Sequence, residues 1–248
     1  MDRGKLVVER IGGKSTLTRC LFKYPFKFIN PNKGDSIAFD VTVGDGCTAV
    51  LTTQSSTKVY KSIGSKCSKQ MLEKLSLRRG ARPANIALFG LEKAQGLEPW
   101  ASVGRDALLV VIPDPVTCFS TAKYSQVQIF KVVPESSLLV VDWITSGRHE
   151  SGEKWAFSHY KSTNRILLEG DEPVFLDTIL LEQGSHISIS DRLQDYQAIA
   201  MIVLLGTFGP KGIGVVVRVA SMTTESVYNF LQHQLATMEA LLGASPYR

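Results

Sequence analysis

Ile37, Phe39, Val41 and Val43 alternate with Ala38, Asp40 and Thr42, a period of two that sets one face of a strand on a core. The turn residues Gly44-Asp45-Gly46 follow and 47–53 resumes an extended run, so the pattern predicts a hairpin with a loop of about three residues. Residues 107–112 and 138–144 are continuous apolar runs bounded by Pro113-Asp114-Pro115 and Ser146-Gly147, as expected of strands buried on both faces. Further extended runs cover 127–133, 155–160, 174–181 and 214–220, separated by Gly, Pro, Asn and Asp. Many short strands at such spacing predict an all-β layered body.

Two segments carry a different period. Val227, Phe230, Leu231, Leu235, Met238, Leu241 and Leu242 recur at three and four, which predicts an amphipathic helix over 226–242, capped by Thr223 or Thr224 and stopped by Gly243. A second helix is predicted from Ser190 or Asp191 through Leu193, Tyr196, Ala200 and Val203 to Gly206. Residues 73–101 have neither period and hold Gly80, Pro83, Gly90, Gly96 and Pro99, so they read as a long, poorly ordered loop.

Composition narrows the class. The 248 residues are 44% hydrophobic and 21% charged, which excludes disorder and collagen-like repeats. The longest apolar run, 198–205, is eight residues, whereas a membrane-spanning helix needs about 20. The first residues carry charges every few positions and no apolar stretch, so no secretory signal is read there and a cytosolic protein is expected. Cys20, Cys47, Cys67 and Cys118 form no C-x-x-C pair, which favours reduced, buried thiols. The net charge of +5 is uneven: residues 1–35 carry eight Lys/Arg against three acids, and 58–82 carry eight against one. Such segments meet an acidic partner, pair with the acidic remainder of the chain, or form a solvated face. With Tyr60 the one aromatic in the second segment, nucleic acid is not favoured.

The chemical motifs are sparse. Gly12-Gly13-Lys14-Ser15-Thr16 ends like a phosphate loop, but Val8 stands where its first glycine belongs and 17–22 looks like a strand, so a polar turn is read. The run Gly209-Pro210-Lys211-Gly212-Ile213-Gly214 precedes a strand instead of following one, and reads as a loop. No G-x-S-x-G elbow is present. Asp142, His149, Glu150, Glu153 and His159 offer oxygen and imidazole to a borderline metal, yet no spacing fixes two of them on one face. Thr52 to Lys58 form a polar run that suits either a solvated sheet face or the wall of a channel.

The blocks VTVGDGCTAVLTTQSSTKVYKS (41–62), ALLVVIPDPVTCFSTAKYSQVQIFKV (107–132), VDWITSGRHESGEKWAFSHYKSTNRI (141–166) and LQDYQAIAMIVLLG (193–206) closely resemble the urease accessory protein D family, UreD or UreH, in its plant-type branch. The resemblance implies a single domain over 1–248, with stacked, helically arranged β-sheets and two α-helices near the C-terminus. It implies a non-enzymatic scaffold that binds accessory protein F and, through it, the nickel-carrying GTPase accessory protein G. The assembly docks on apo-urease, and nickel is cargo with no tightly bound cofactor; a water-filled tunnel through the D subunit is the proposed route. Asp45, Thr53, Thr57, Lys58, Asp142, Arg148 and Glu153 match polar positions of the family motifs and are the candidate channel or network residues. His149 and Glu153 are candidates for transient nickel contact. No nucleic-acid or membrane partner is implied.

Three joints depart from the family: a segment is missing between Pro31 and Gly34, 73–101 looks like an insertion, and the connection after Gly206 is shortened. They resemble altered exon joining. A non-productive isoform is therefore one alternative, and a metal-dependent hydrolase using Asp142, His149 and Glu153 is the other.

Overall fold

The computed structural model describes residues 2–21, 36–53, 55–61, 68–73, 87–90, 101–103, 106–168, 170–206 and 213–247. The joint at 31–34, Cys67, the loop at 209–212 and most of the presumed insertion, 74–86 and 91–100, lie outside them. The first half supplies β1 (Asp2–Ile11), β2 (Lys14–Leu21), β3 (Ser36–Val43), β4 (Thr48–Thr52), β5 (Thr57–Val59), β6 (Ser68–Glu73), β7 (Ala87–Gly90) and β8 (Ala101–Val103). Then come β9 (Leu108–Val111), β10 (Val116–Cys118), β11 (Lys123–Val132), β12 (Ser137–Thr145), β13 (His159–Leu168) and β14 (Pro173–Glu182). The chain closes with α1 (Ile189–Leu193), β15 (Ala198–Gly206), β16 (Ile213–Ser221), α2 (Thr224–Leu235) and α3 (Glu239–Leu242). The protein is mainly β, as the strand spacing predicts.

The described strands form two sheets. One runs β14-β13-β11-β6-β3-β1-β2, with β8 joining β11 and β3; the other runs β16-β15-β12-β9-β4-β7, with β10 pairing β12 and β5 pairing β10. From β3 onward the chain passes repeatedly from one sheet to the other, so the ladders β3 to β6, β6 to β11, β11 to β13, β4 to β9 and β9 to β12 are parallel. Apolar residues fill the space between the sheets, while a second cluster packs the outer face of the β12–β15 sheet under α2 and α3.

This coiling overturns the predicted hairpin at 44–46. β3 and β4 lie in different sheets, and Gly44-Asp45-Gly46 is the corner between layers, with the Gly44 amide bonded to the Val8 carbonyl at 2.7 Å. A second correction concerns 190–206. The helix ends at Leu193, where Gln194 adopts φ 47°, and the apolar run becomes β15, central between β12 and β16. An all-apolar stretch satisfies a fully buried strand and a buried helix equally, so periodicity cannot separate them. Trp155 takes φ 53° and β13 begins only at His159, so 155–158 is not strand. Within 73–101, Ala87–Gly90 pairs parallel with β4, which makes that part of the presumed loop a sheet edge.

Other expectations hold. β9 and β12 are buried along nearly their whole length. Gly12 and Gly13, at φ 58° and 81°, form the two-residue turn of the β1–β2 hairpin, a geometry that requires two left-handed residues. Thr223 caps α2 by accepting from the Ser226 amide at 3.1 Å and left-handed Gly243 ends α3, but the single helix predicted over 226–242 is broken between them by a 3₁₀ turn at Ala236–Met238. Cys47 and Cys118 are buried and are not joined in a disulfide. No helix among the described residues is long and apolar enough to cross a membrane.

Candidate functional site

A polar stratum divides the core between the sheets. Along β12 the inward row runs Leu138, Val140, Asp142, Ile144; along β13 it runs Ile166, Asn164, Ser162, Tyr160; along β11 it runs Phe130, Gln128, Gln126, Tyr124. The first members of each row join one apolar cluster and the last join another. Asp142 sits between them at 4% exposure.

Three neutral donors meet its carboxylate. Gln126 Nε2 donates to Oδ1 at 2.7 Å, and Ser162 Oγ and Asn164 Nδ2 donate to Oδ2 at 2.5 and 2.7 Å. The Tyr124 hydroxyl donates to Gln126 Oε1 at 2.9 Å, which turns the amide nitrogen of Gln126 toward the carboxylate. Burial pushes the Tyr124 and Tyr160 phenols well up, so both keep their protons at neutral pH. Burial also raises the Asp142 carboxyl, with the three hydrogen bonds opposing it and nearby Asp177 adding to it. Charge without a paired cation is costly in such a place, and the donors offset only part of that cost.

The stratum continues both ways. Toward β14, Asn164 lies opposite Asp177, which is buried and ion-paired through Oδ1 with Arg218 of β16, while its Oδ2 makes no hydrogen bond among the described residues. Toward the other side, Asp142, Gln126 and Gln128 line a cavity of about 60 Å³ together with Thr52, Thr53, Thr57 and Asp114. That volume holds a few waters. Thr52, Thr53 and Asp114 also line an open outer cavity of about 370 Å³, together with 244–247. Asp114 is fixed by the Tyr228 hydroxyl at 2.8 Å and by its own amide donating to Thr53 Oγ1 at 2.7 Å.

The sequence candidates divide accordingly. Thr53, Thr57 and Asp142 share the inner cavity. Asp45 is buried at the β3–β4 corner, and Lys58 points outward from β5, exposed between the buried Thr57 and Val59. Arg148 and Glu153 belong to a loop clamp. Arg148 Nε lies 3.1 Å from Glu153 Oε2, its guanidinium stands 4.3 Å over the Phe119 ring, and the Ser120 amide also donates to Glu153 Oε2. The Arg148 guanidinium holds the Glu153 carboxyl below the usual range. His149 is exposed in a short 3₁₀ turn beside Gln197, and His159 pairs with Glu182 at 2.8 Å. Among the described residues no group of three His, Cys, Asp or Glu side chains is placed to hold a metal ion. The hydrolase alternative needs Asp142, His149 and Glu153 around one centre, and here Asp142 and Glu153 are each engaged with partners of their own.

Residue patterning missed Gln126, Gln128, Ser162, Asn164, Asp114, Asp177 and Arg218. Their signal is a polar residue interrupting the inward row of an apolar strand, which is legible only once the facing of each strand is known.

Fold and site together define a β-layered protein whose distinctive chemistry is a buried polar network between sheets. A family model described as UreD urease accessory protein matches residues 31–248. The chain is 46% identical to urease accessory protein D of Arabidopsis thaliana over the whole of both chains. It is 41% identical to that of Oryza sativa subsp. indica over 98% of this chain and 94% of the relative, and 29% identical to UreD of an Anaeromyxobacter strain over 98% and 88%. The chain belongs to the UreD urease accessory protein family, and its role lies in urease maturation. The Arabidopsis alignment spans 320 positions against 248 residues here, so this chain has gaps opposite segments of its relative.

Proposed function

We propose that the chain is a non-catalytic chaperone that holds accessory proteins F and G on apo-urease in the cytosol and passes nickel along the polar stratum. The observation that carries the reading is the continuity of Asp142, Gln126 and Gln128 with Thr53, Thr57 and Asp114 around one cavity that abuts a larger one. A transfer path must hold a hydrated divalent cation weakly, through oxygen contacts in series with no closed cage. One buried carboxylate among neutral amides and hydroxyls suits that requirement. The candidate transient ligand His149 is at the surface, so in this reading it serves entry or exit only.

The test is complementation of a urease-positive strain lacking protein D. The wild-type chain is expected to restore activity and to co-purify with accessory protein F. Asp142→Val, with a normal melting curve and retained F binding, is expected to lower nickel per urease at limiting nickel. Full nickel loading by that variant overturns the route. The gaps in the 320-position alignment favour a second reading, a non-productive isoform. It stands if the chain binds neither F nor urease while a version with the missing segments restored does both.

A further inference from the structure

The helices cover the outer face of one sheet, and the outer face of β13–β14 in the other is left with an ordered mixture of apolar and cationic side chains. On β14, Val174, Leu176 and Leu180 are 47, 64 and 48% exposed. Directly opposite, on β13, stand the exposed Arg165 beside Leu176 and the exposed Lys161 beside Leu180, with the pair Thr163 and Thr178 between them. Opposed residues of an antiparallel pair share one face about 5 Å apart. The face therefore carries two parallel rows, one of leucines and valine and one of cations.

Among the described residues no ion pair joins Lys161 or Arg165, while Glu182 pairs with His159 and Asp171 with Lys131. The threonine pair is tied to itself at 3.2 Å and leaves the surface flat. Apolar side chains standing in a row on a solvated sheet face are a recognition feature when rimmed by polar groups.

We propose that the outer face of β13–β14 docks an acidic amphipathic helix of a partner protein. Val174 to Leu180 spans about 20 Å at strand rise, which is about 13 residues of helix. The partner's apolar stripe lies on Val174, Leu176 and Leu180. Its carboxylates face Lys161 and Arg165, which stand about 13 Å apart, or seven to nine helical residues. The inference rests on the scaffold part of the proposed function and is independent of the nickel route.

The probe is a labelled 14-residue helical peptide with leucines at i, i+3 and i+7 and glutamates flanking them, compared with the same peptide carrying lysines, by fluorescence anisotropy on the full chain. The acidic peptide is expected to bind at least tenfold tighter and to weaken with added salt. Lys161→Glu with Arg165→Glu, and separately Leu176→Ser with Leu180→Ser, are expected to lower its affinity at least tenfold with unchanged melting temperature. Equal binding by either double variant, equal binding of both peptides, or no binding by folded wild type overturns the proposal. So does a dimer in sedimentation that Leu176→Ser with Leu180→Ser dissolves, because a second copy is then the occupant. A chain that binds the peptide but fails complementation refutes the scaffold reading alone; one that complements without binding refutes the docking face alone.

Discussion

Asp142 is an acid whose proton is held more tightly in the fold than in the open chain. Its contribution to stability is therefore fully present below the ordinary carboxylate range and is lost as pH rises through the raised value. Asn at this position carries no titration. The stability of wild type relative to Asp142→Asn is expected to fall as pH rises from about 4, by at most about 1.4 kcal/mol per pH unit, in urea titrations at several pH values. A difference that grows with pH would mean the three donors outweigh burial. Glu153 has the opposite sign: held low by Arg148, it supports its loop above the ordinary carboxylate range and stops doing so as pH falls through its lowered value. Glu153→Gln is expected to speed hydrogen exchange at 148–153 without unfolding the sheets, and acid is expected to do the same to wild type. Tyr228→Phe deletes the hydroxyl that fixes Asp114 and is expected to cost about 1 kcal/mol in chemical denaturation.

Elements differ in how much of themselves they reveal. α2 declares its start and its stripe locally, because a Thr hydroxyl and a 3.6-residue period each act within a few residues, whereas its end at Leu235 runs into a 3₁₀ turn and the left-handed Gly243 stops only α3. Thr223→Ala is expected to destabilise the protein by about 1 kcal/mol, seen as a lower urea midpoint. β15 reveals only that it is buried, since Ala198 to Leu205 would serve either conformation, and its partners β12 and β16 decide the matter. β7 is four residues long and exists in relation to β4, so nothing within 73–101 announces it. The candidate site follows the same rule. Thr53, Thr57 and Asp142 stand out as polar residues in strand-like runs, whereas Asp177 and Arg218 acquire meaning through an ion pair across two sheets.

At the scale of the molecule, the layered β class is legible because strand period and turn residues are local, while the passage of the chain from sheet to sheet is not. The corner at Gly44 to Gly46 uses the same residues as a hairpin would, and the difference lies in partners far along the chain. That arrangement has a consequence for biosynthesis. β3 and β6 wait for β11, and β4 and β9 wait for β12, so neither ladder extends into its second half until residues 123–145 have left the ribosome. At ordinary elongation rates the roughly 100 residues from β3 to β11 take about 5 to 20 s. Through that interval the nascent chain presents open, apolar strand edges, the state in which chains pair with the wrong neighbour. Soluble yield is therefore expected to rise when the first half is shielded during translation, as read by expression with and without an added holdase chaperone.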